Sequence, residues 1–271
     1  MNNIISAVVW FAIISAALGL ILAIASKLFA VKTDERTEQI IEQLPGANCG
    51  GCGFAGCAAL ADAIVTGQAP VDACSVADDK NIAEIGRIMG VPCETGKERF
   101  RAQVMCSGTN ALSKKKYIYE GVSDCVAANR LAGGDKLCPN GCIGLGTCVS
   151  SCKFDAIHVV DGVAAVDYDK CRACGECVYS CPKHIIKLIP FSANYWVGCM
   201  SRDKGPITKN YCDAGCIACK LCEKACPTGA IKVTEFVAEI NYDLCNECGE
   251  CQNVCPRKII LSNRSQQKSG K

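Results

Sequence analysis

The residues CIACKLCEKACP at 216–227 and CNECGECQNVCP at 245–256 decide the fold of this chain. The same arrangement occurs 74 residues earlier, at CIGLGTCVSSCK (142–153) and CRACGECVYSCP (171–182). Cys138 also recurs, as Cys212. The segment from Cys138 to Pro256 is therefore one cysteine pattern written twice, and each copy contains two similar runs.

Each run approaches C-x2-C-x2-C-x3-C-P, the bacterial ferredoxin arrangement for two 4Fe-4S clusters. In that arrangement the first three cysteines of a run bind one cluster, and the fourth binds the cluster of the other run. The second copy fits this pattern completely. We expect its clusters on Cys216, Cys219, Cys222 and Cys255, and on Cys245, Cys248, Cys251 and Cys226.

The first copy departs from the pattern at Leu145, which stands at the position of Cys219 and cannot bind iron. Cys138, four residues before Cys142, is the obvious replacement. We therefore expect the clusters of this copy on Cys138, Cys142, Cys148 and Cys181, and on Cys152, Cys171, Cys174 and Cys177.

Structural zinc is the alternative metal, because paired C-x2-C knuckles are typical of zinc sites. A zinc ribbon has two such knuckles separated by a loop. The run from Cys171 to Cys181 instead contains four cysteines within eleven residues. This spacing favours one face of a cubane cluster.

The composition agrees with a metalloprotein of a reducing compartment. The chain has 25 cysteines in 271 residues, a density found in disulfide scaffolds and metal-binding proteins. The odd count, the triplet spacing and the lack of a cleavable signal favour metal thiolates in the cytoplasm. Lys and Arg are scattered without a basic stripe, so we expect no nucleic acid partner.

The N-terminal stretch predicts a membrane anchor. No charged side chain occurs from Met1 to Ser26, and the apolar part is long enough to span a bilayer at about 1.5 Å per residue. Lys27, Lys32 and Arg36 follow it, so the positive-inside rule places the remaining chain in the cytoplasm. We expect a single-pass protein of the cytoplasmic membrane.

A separate cysteine set follows the anchor. Cys49, Cys52, Cys57 and Cys74 have the spacing C-x2-C-x4-C-x16-C. Glycines among them would let backbone amides approach a cluster and donate hydrogen bonds to its sulfur atoms. We expect another 4Fe-4S cluster here, with zinc as the alternative.

Five clusters would use 20 cysteines and leave Cys93, Cys106, Cys125, Cys199 and Cys212. Four of these could bind a sixth cluster, because free thiols beside iron are reactive. We expect that cluster on Cys106, Cys125, Cys199 and Cys212, with Cys93 free. Unligated core cysteines are the alternative.

These features predict an α+β chain with a single N-terminal transmembrane helix, a small four-Cys iron-sulfur domain and two tandem bacterial-ferredoxin-like domains. Loosely alternating β-branched residues predict hairpins within 156–166 and 230–240. The expected segments are a transmembrane helix (1–26), a linker helix (27–44), the four-Cys domain (45–92), a connecting region (93–135), ferredoxin-like domain 1 (136–190), a connector (191–211), ferredoxin-like domain 2 (212–261) and a disordered tail (262–271).

The order of anchor, four-cysteine domain and ferredoxin-like pairs resembles the B subunits of the Rnf complexes. These complexes are ion-translocating ferredoxin:NAD+ oxidoreductases of bacterial membranes. Two ferredoxin pairs resemble the longer form of that subunit. The resemblance implies iron ligation by Cys49, Cys52, Cys57 and Cys74 and by the sixteen cysteines of the runs, with Leu145 as the one departure.

The sequence has no P-loop, flavin motif or acid-base constellation, so the residues alone indicate a carrier of single electrons. The resemblance implies electrons from reduced soluble ferredoxin, delivery to other membrane subunits, and coupling to Na+ or H+ transport. The rival hypotheses are an electron-transfer subunit of a hydrogenase or formate dehydrogenase, and a zinc-binding structural scaffold.

Overall fold

The computed structural model of the chain describes residues 2–28, 34–93, 96 and 98–263. Helix α1 (Asn2–Leu28) begins the chain, and its stretch Val8–Lys27 has a mean hydropathy of 2.6 with no buried residue. Among the described residues it is the one helix long and apolar enough to cross a membrane. The predicted span is therefore a helix whose apolar side chains are not covered by the other described residues.

Three helices form the N-terminal unit: α2 (Glu35–Gln43), α3 (Cys57–Val65) and α4 (Asp79–Met89). The Asp34 side chain caps α2 by accepting a hydrogen bond from the Arg36 N–H, which satisfies a free donor of the first turn. Ile40 of α2 is fully buried against Leu60, Ile64 and Ile85. Of the predicted linker helix (27–44), residues 27 and 28 end α1 and residues 29–33 lie outside the described residues, whereas α2 belongs to the core of this unit.

The two copies of the cysteine pattern fold alike. Each has a hairpin, and each hairpin lies inside the stretch predicted for it. The first copy contains α6 (Thr147–Ser150), β2 (Ile157–Val160), β3 (Val163–Val166), α7 (Glu176–Ser180) and β4 (Ile186–Pro190). The second contains α9 (Leu221–Ala225), β6 (Ile231–Thr234), β7 (Val237–Ile240), α10 (Glu250–Asn253) and β8 (Ile260–Ser262).

Each copy gains a strand from the segment that precedes it, where no strand was expected. Strand β1 (Phe100–Val104) pairs antiparallel with β4, and β5 (Tyr195–Val197) pairs antiparallel with β8. Helix α5 (Cys125–Arg130) follows β1, and α8 (Gly205–Tyr211) follows β5. The regions predicted as connectors are therefore built into the ferredoxin-like units.

The end of the chain differs slightly from the expected boundary. Ser262 lies in β8 and faces Tyr195, and the Asn263 side chain accepts a hydrogen bond from Arg101. The first two residues of the predicted disordered tail are thus part of the fold. The remaining residues, 264–271, lie outside the described residues.

Candidate metal centres

Cysteine side chains meet in six groups of four. They are the N-terminal group (Cys49, Cys52, Cys57, Cys74), group A (Cys125, Cys142, Cys148, Cys181), group B (Cys152, Cys171, Cys174, Cys177), the central group (Cys106, Cys138, Cys199, Cys212), group C (Cys216, Cys219, Cys222, Cys255) and group D (Cys226, Cys245, Cys248, Cys251). Together they contain 24 of the 25 cysteines.

Five of the groups surround cavities of about 320–400 Å³, including the space that opens to solvent. The four thiols of group D lie close enough together to interact electrostatically. Four thiols around a largely apolar space are the donor set of a 4Fe-4S cluster. The residues therefore fit that cofactor. Among the described residues, no three His, Cys, Asp or Glu side chains are arranged to hold a single metal ion.

The triplet loops share one backbone conformation. Between the first and second positions of each triplet, φ is positive in all four loops: Gly144 (82°), Ala173 (54°), Ala218 (53°) and Glu247 (59°). A second positive φ precedes the third cysteine: Gly146 (81°), Gly175 (84°), Lys220 (60°) and Gly249 (79°). These left-handed residues curl the chain around the cavity before the short helix begins, and they cost least at glycine.

Backbone N–H groups point at the sulfur atoms. The N–H of Ala102 in β1 donates to Cys171 Sγ at 3.4 Å, and that of Ala156 donates to Cys152 Sγ at 3.4 Å. In group C the Ala218 N–H donates to Cys216 Sγ at 3.4 Å. Hydrogen bonds to cluster sulfurs help to set reduction potentials, so the strand added by β1 also contributes to the electrostatics of group B.

Burial makes the thiols of Cys138, Cys142 and Cys148 weaker acids than an ordinary cysteine. It raises the pKa of Cys138 to about 12 and that of Cys142 to about 11, and the nearby Cys106 thiol adds to both rises. Burial likewise raises the pKa of Cys148 to about 12. Because metals bind the thiolate, loading these groups releases protons and is favoured as the pH rises.

Two cysteines lie in different groups from those predicted. Cys125 lines the group A cavity, where Cys138 was expected, and Cys138 joins Cys106, Cys199 and Cys212. The physical reason lies in α5. Two side chains hold the start of this helix: Asp124 accepts a hydrogen bond from the Ala127 N–H, and Thr147 accepts one from the Cys125 N–H. This brings Cys125 to the space that Leu145 leaves without a ligand.

The repeat itself contains a signal for the grouping seen in the structure. Cys138 and Cys212 are equivalent by the shift of 74 residues, so both belong to the same kind of position. Cys106 and Cys199 are equivalent in the fold, since each follows a strand, β1 or β5, that pairs with the last strand of its unit. The central group therefore takes one matching pair of cysteines from each copy.

The groups are neighbours in series. A Cβ added at Gly51 would collide with the Cys174 carbonyl oxygen, so the N-terminal group adjoins group B. Thiols interact electrostatically between groups B and A (Cys177 with Cys148) and between groups C and D (Cys251 with Cys222). The Cys142 N–H donates to Cys106 Sγ at 3.4 Å, which joins group A to the central group.

The series continues into the second copy through the equivalent contact. The N–H of Cys216 donates to Cys199 Sγ at 3.3 Å, so the central group adjoins group C. The order is the N-terminal group, B, A, the central group, C and D. Cys93 stands apart from all six, and its Sγ lies 3.5 Å from the Ile82 carbonyl oxygen beside α4.

Exposure differs along this series. In the central group and group A, all thiols except Cys106 and Cys181 belong to buried residues. Cys219 of group C and Cys248 of group D belong to exposed residues. In the N-terminal group only Cys74 is buried. The middle of the series is therefore covered by protein, whereas both ends reach toward the surface.

The chain is similar to curated proteins over nearly its whole length. It is 42% identical to the B subunit of the ion-translocating oxidoreductase complex of Methanosarcina acetivorans, over 90% of this chain and 92% of that protein. The chain belongs to this family of B subunits. As a B subunit it is also 42% identical to that of the Na(+)-translocating ferredoxin:NAD(+) oxidoreductase complex of Acetobacterium woodii, over 96% of this chain and 78% of the relative.

A third B subunit, from the proton-translocating ferredoxin:NAD(+) oxidoreductase complex of Clostridium ljungdahlii, is 37% identical over 100% of this chain and 98% of its own. Within the present B subunit, residues 44–76 match a family described as a putative Fe-S cluster. Residues 164–187 match a 4Fe-4S binding domain and residues 215–259 a 4Fe-4S dicluster domain. The predicted family and the predicted kind of cofactor are confirmed.

Proposed function

We propose that this B subunit is the electron-carrying arm of an ion-translocating ferredoxin:NAD+ oxidoreductase. It accepts electrons from reduced soluble ferredoxin and delivers them to other membrane subunits of the complex. Five 4Fe-4S clusters occupy the N-terminal group and groups A, B, C and D. The ligands are the twenty cysteines of those groups, with Cys125 in the role that the sequence had suggested for Cys138.

The observation that carries this proposal is the series of neighbouring cysteine groups that extends from the N-terminal group to group D. A 4Fe-4S cluster supplies a site that takes up and releases a single electron. The chain's own contribution is to space the groups, to cover the inner thiols and to direct N–H groups at their sulfur atoms.

The membrane placement rests on α1. Its apolar residues are exposed, and Lys27 lies at its C-terminal end. The positive-inside rule then puts the cysteine groups on the cytoplasmic side, where soluble ferredoxin is present. A single span forms no ion pathway, so transport of Na+ or H+ belongs to partner subunits.

The test is direct reduction by ferredoxin. The full chain in detergent, and a variant without residues 1–28, are purified without oxygen and mixed with reduced ferredoxin. We expect cluster absorbance to bleach in both, because α1 buries nothing against the cysteine groups. Bleaching by dithionite but not by ferredoxin would exclude ferredoxin as the direct donor. A colourless, zinc-rich preparation would favour the structural scaffold.

A further inference from the structure

The central group lies outside every segment that matches an iron-sulfur family, since those segments cover residues 44–76, 164–187 and 215–259. Its four cysteines come from four separate places in the chain. Cys106 follows β1, Cys138 precedes the first triplet, Cys199 follows β5 and Cys212 ends α8. No local motif contains them, yet they line one cavity of about 340 Å³.

The group is nearly symmetric, with matching contacts from each copy. Gly141 N–H donates to the Cys138 carbonyl and Gly215 N–H to the Cys212 carbonyl, both at 3.2 Å. The Cys142 and Cys216 N–H groups, equivalent by the 74-residue shift, donate to Cys106 and Cys199. A cavity that incidentally contained thiols would not need matching backbone donors aimed at sulfur from both sides.

Lys136 supplies an independent observation. Its side chain is only 3% exposed, and its Nζ donates to the carbonyl oxygens of Gly108 at 2.7 Å and Gly162 at 2.9 Å. Within the described part of the chain, no carboxylate forms an ion pair with it. A buried ammonium group without an opposite charge is costly, so an anion is expected nearby.

Two cysteine groups lie beside the carbonyl oxygens that Lys136 binds, and thiolates there would supply that anion. A Cβ at Gly108, whose carbonyl Lys136 binds, would lie 3.3 Å from Cys212 Sγ and 3.7 Å from Cys106 Sγ. The other carbonyl that Lys136 binds, that of Gly162, lies against the first triplet loop of group A, because a Cβ added at Gly144 would lie 2.5 Å from its oxygen. Lys136 therefore faces group A on one side and the central group on the other.

Two further basic residues flank the central group at equivalent positions of the two copies. Lys183 Nζ donates to the Pro139 carbonyl at 2.7 Å, next to Cys138. Arg257 donates from Nη2 to the Cys212 carbonyl at 2.9 Å and from Nε to the Gly215 carbonyl at 3.2 Å. Three cations around four neutral thiols would repel one another without compensation, whereas they suit four thiolates around a cluster of net negative charge.

We propose that Cys106, Cys138, Cys199 and Cys212 bind a sixth 4Fe-4S cluster that bridges the two ferredoxin-like units, with Lys136 as the buried counter-charge shared by this site and group A. The proposal rests on the proposed function in that the other five groups hold clusters. The central site makes the series continuous, and the positive charge of Lys136 raises the reduction potentials at the two sites that it faces.

Iron content tests the ligands. The full chain, purified without oxygen, should contain about 24 iron atoms for six clusters, and Cys106→Ala should contain about 20. Cys93→Ala is the matched control and should keep the full content, because Cys93 stands outside all groups. A wild-type value near 20 that Cys106→Ala leaves unchanged would overturn the central site alone. Iron near zero in the wild type would instead overturn the proposed function.

Redox titration followed by electron paramagnetic resonance tests Lys136 without removing a ligand. Lys136→Gln keeps an N–H donor and removes the charge, so we expect full iron content and a more negative midpoint potential for the signals of two clusters. Lys136→Arg should restore the original potentials. Unchanged potentials in Lys136→Gln would overturn the role of the counter-charge, and loss of iron in both variants would show that Lys136 is structural only.

Discussion

Cys255 lies four residues after Cys251, yet its side chain lines the cavity of Cys216, Cys219 and Cys222. The extended backbone at the end of α9 and the turn after α10 send the fourth cysteine of each run away from its own triplet. In each ferredoxin-like unit, the fourth cysteine of one run therefore belongs to the group of the other run. Removing that thiol affects the group of the other run.

We expect Cys255→Ala to lose the cluster of group C and to retain that of group D. Its iron content should fall by about four atoms. Mössbauer and electron paramagnetic resonance spectra, compared with those of Cys245→Ala as the reference for a lost group D, measure which signal disappears. A Cys255→Ala spectrum that matches Cys245→Ala would contradict the crossed arrangement.

Reasoning from the sequence predicts the same cysteine sets that the structure brings together where the ferredoxin runs or the four-Cys spacing contain all four members. The predicted sets for the N-terminal group and for groups B, C and D are the sets that the structure brings together. It failed for Cys125 and Cys138, because the choice between them depends on where α5 packs. Nothing within the run around Leu145 reveals that Cys125, 20 residues earlier, reaches the same cavity.

At the scale of elements, the strands added before each copy close the ferredoxin-like units. Trp196 in β5 is 0% exposed and packs with Met105, Ile189 and Ala193. Its ring meets Tyr168 edge-on at a centroid distance of 6.4 Å. Because Tyr168 belongs to the first copy and β5 pairs with the second, this tryptophan lies where the two units join.

We expect Trp196→Ala to destabilise the fold by about 3–5 kcal/mol, since truncating a buried aromatic residue removes its contacts and leaves a cavity. Tyr179→Ala is the control, because Tyr179 is 81% exposed and its loss should change stability little. Chemical denaturation of the oxygen-free protein, followed by circular dichroism, measures both. Equal stability of the two variants would contradict the central place of Trp196 in the core.

The hairpins were predictable because alternating β-branched residues surround a turn. Strands β1 and β5 were not, because their partners lie far along the chain: Val104 faces Ile186, and Val197 faces Ile260. A short strand that pairs only at long range has little local signature, since its preference is decided by burial and by its neighbours.

For the whole molecule, the contact between the N-terminal unit and the first ferredoxin-like unit decides whether the series is continuous. Gly51 lies against the backbone of Cys174, and the Cys49 and Cys174 thiols interact electrostatically. Any side chain at residue 51 would have to displace a carbonyl group of the ligand loop.

We expect Gly51→Ala to force these units apart, at a cost of about 1–3 kcal/mol for overpacking. Hydrogen exchange should become faster in the loops around Cys52 and Cys174. Reduction of the N-terminal cluster should no longer depend on the redox state of group B. Gly19→Ala in α1 is the control, because no heavy atom lies within 4 Å of an added Cβ there. Identical exchange in both variants would contradict a direct contact.

The uneven burial of the thiols has a consequence for selectivity. A soluble redox protein can come close to the exposed residues Cys219 and Cys248, whereas Cys142 and Cys199 are buried. The exposed cysteine groups are therefore the places where we expect electron exchange with other proteins. We expect oxygen and unrelated electron acceptors to react at these exposed groups first, because burial of the groups in the middle of the series limits the loss of electrons from them.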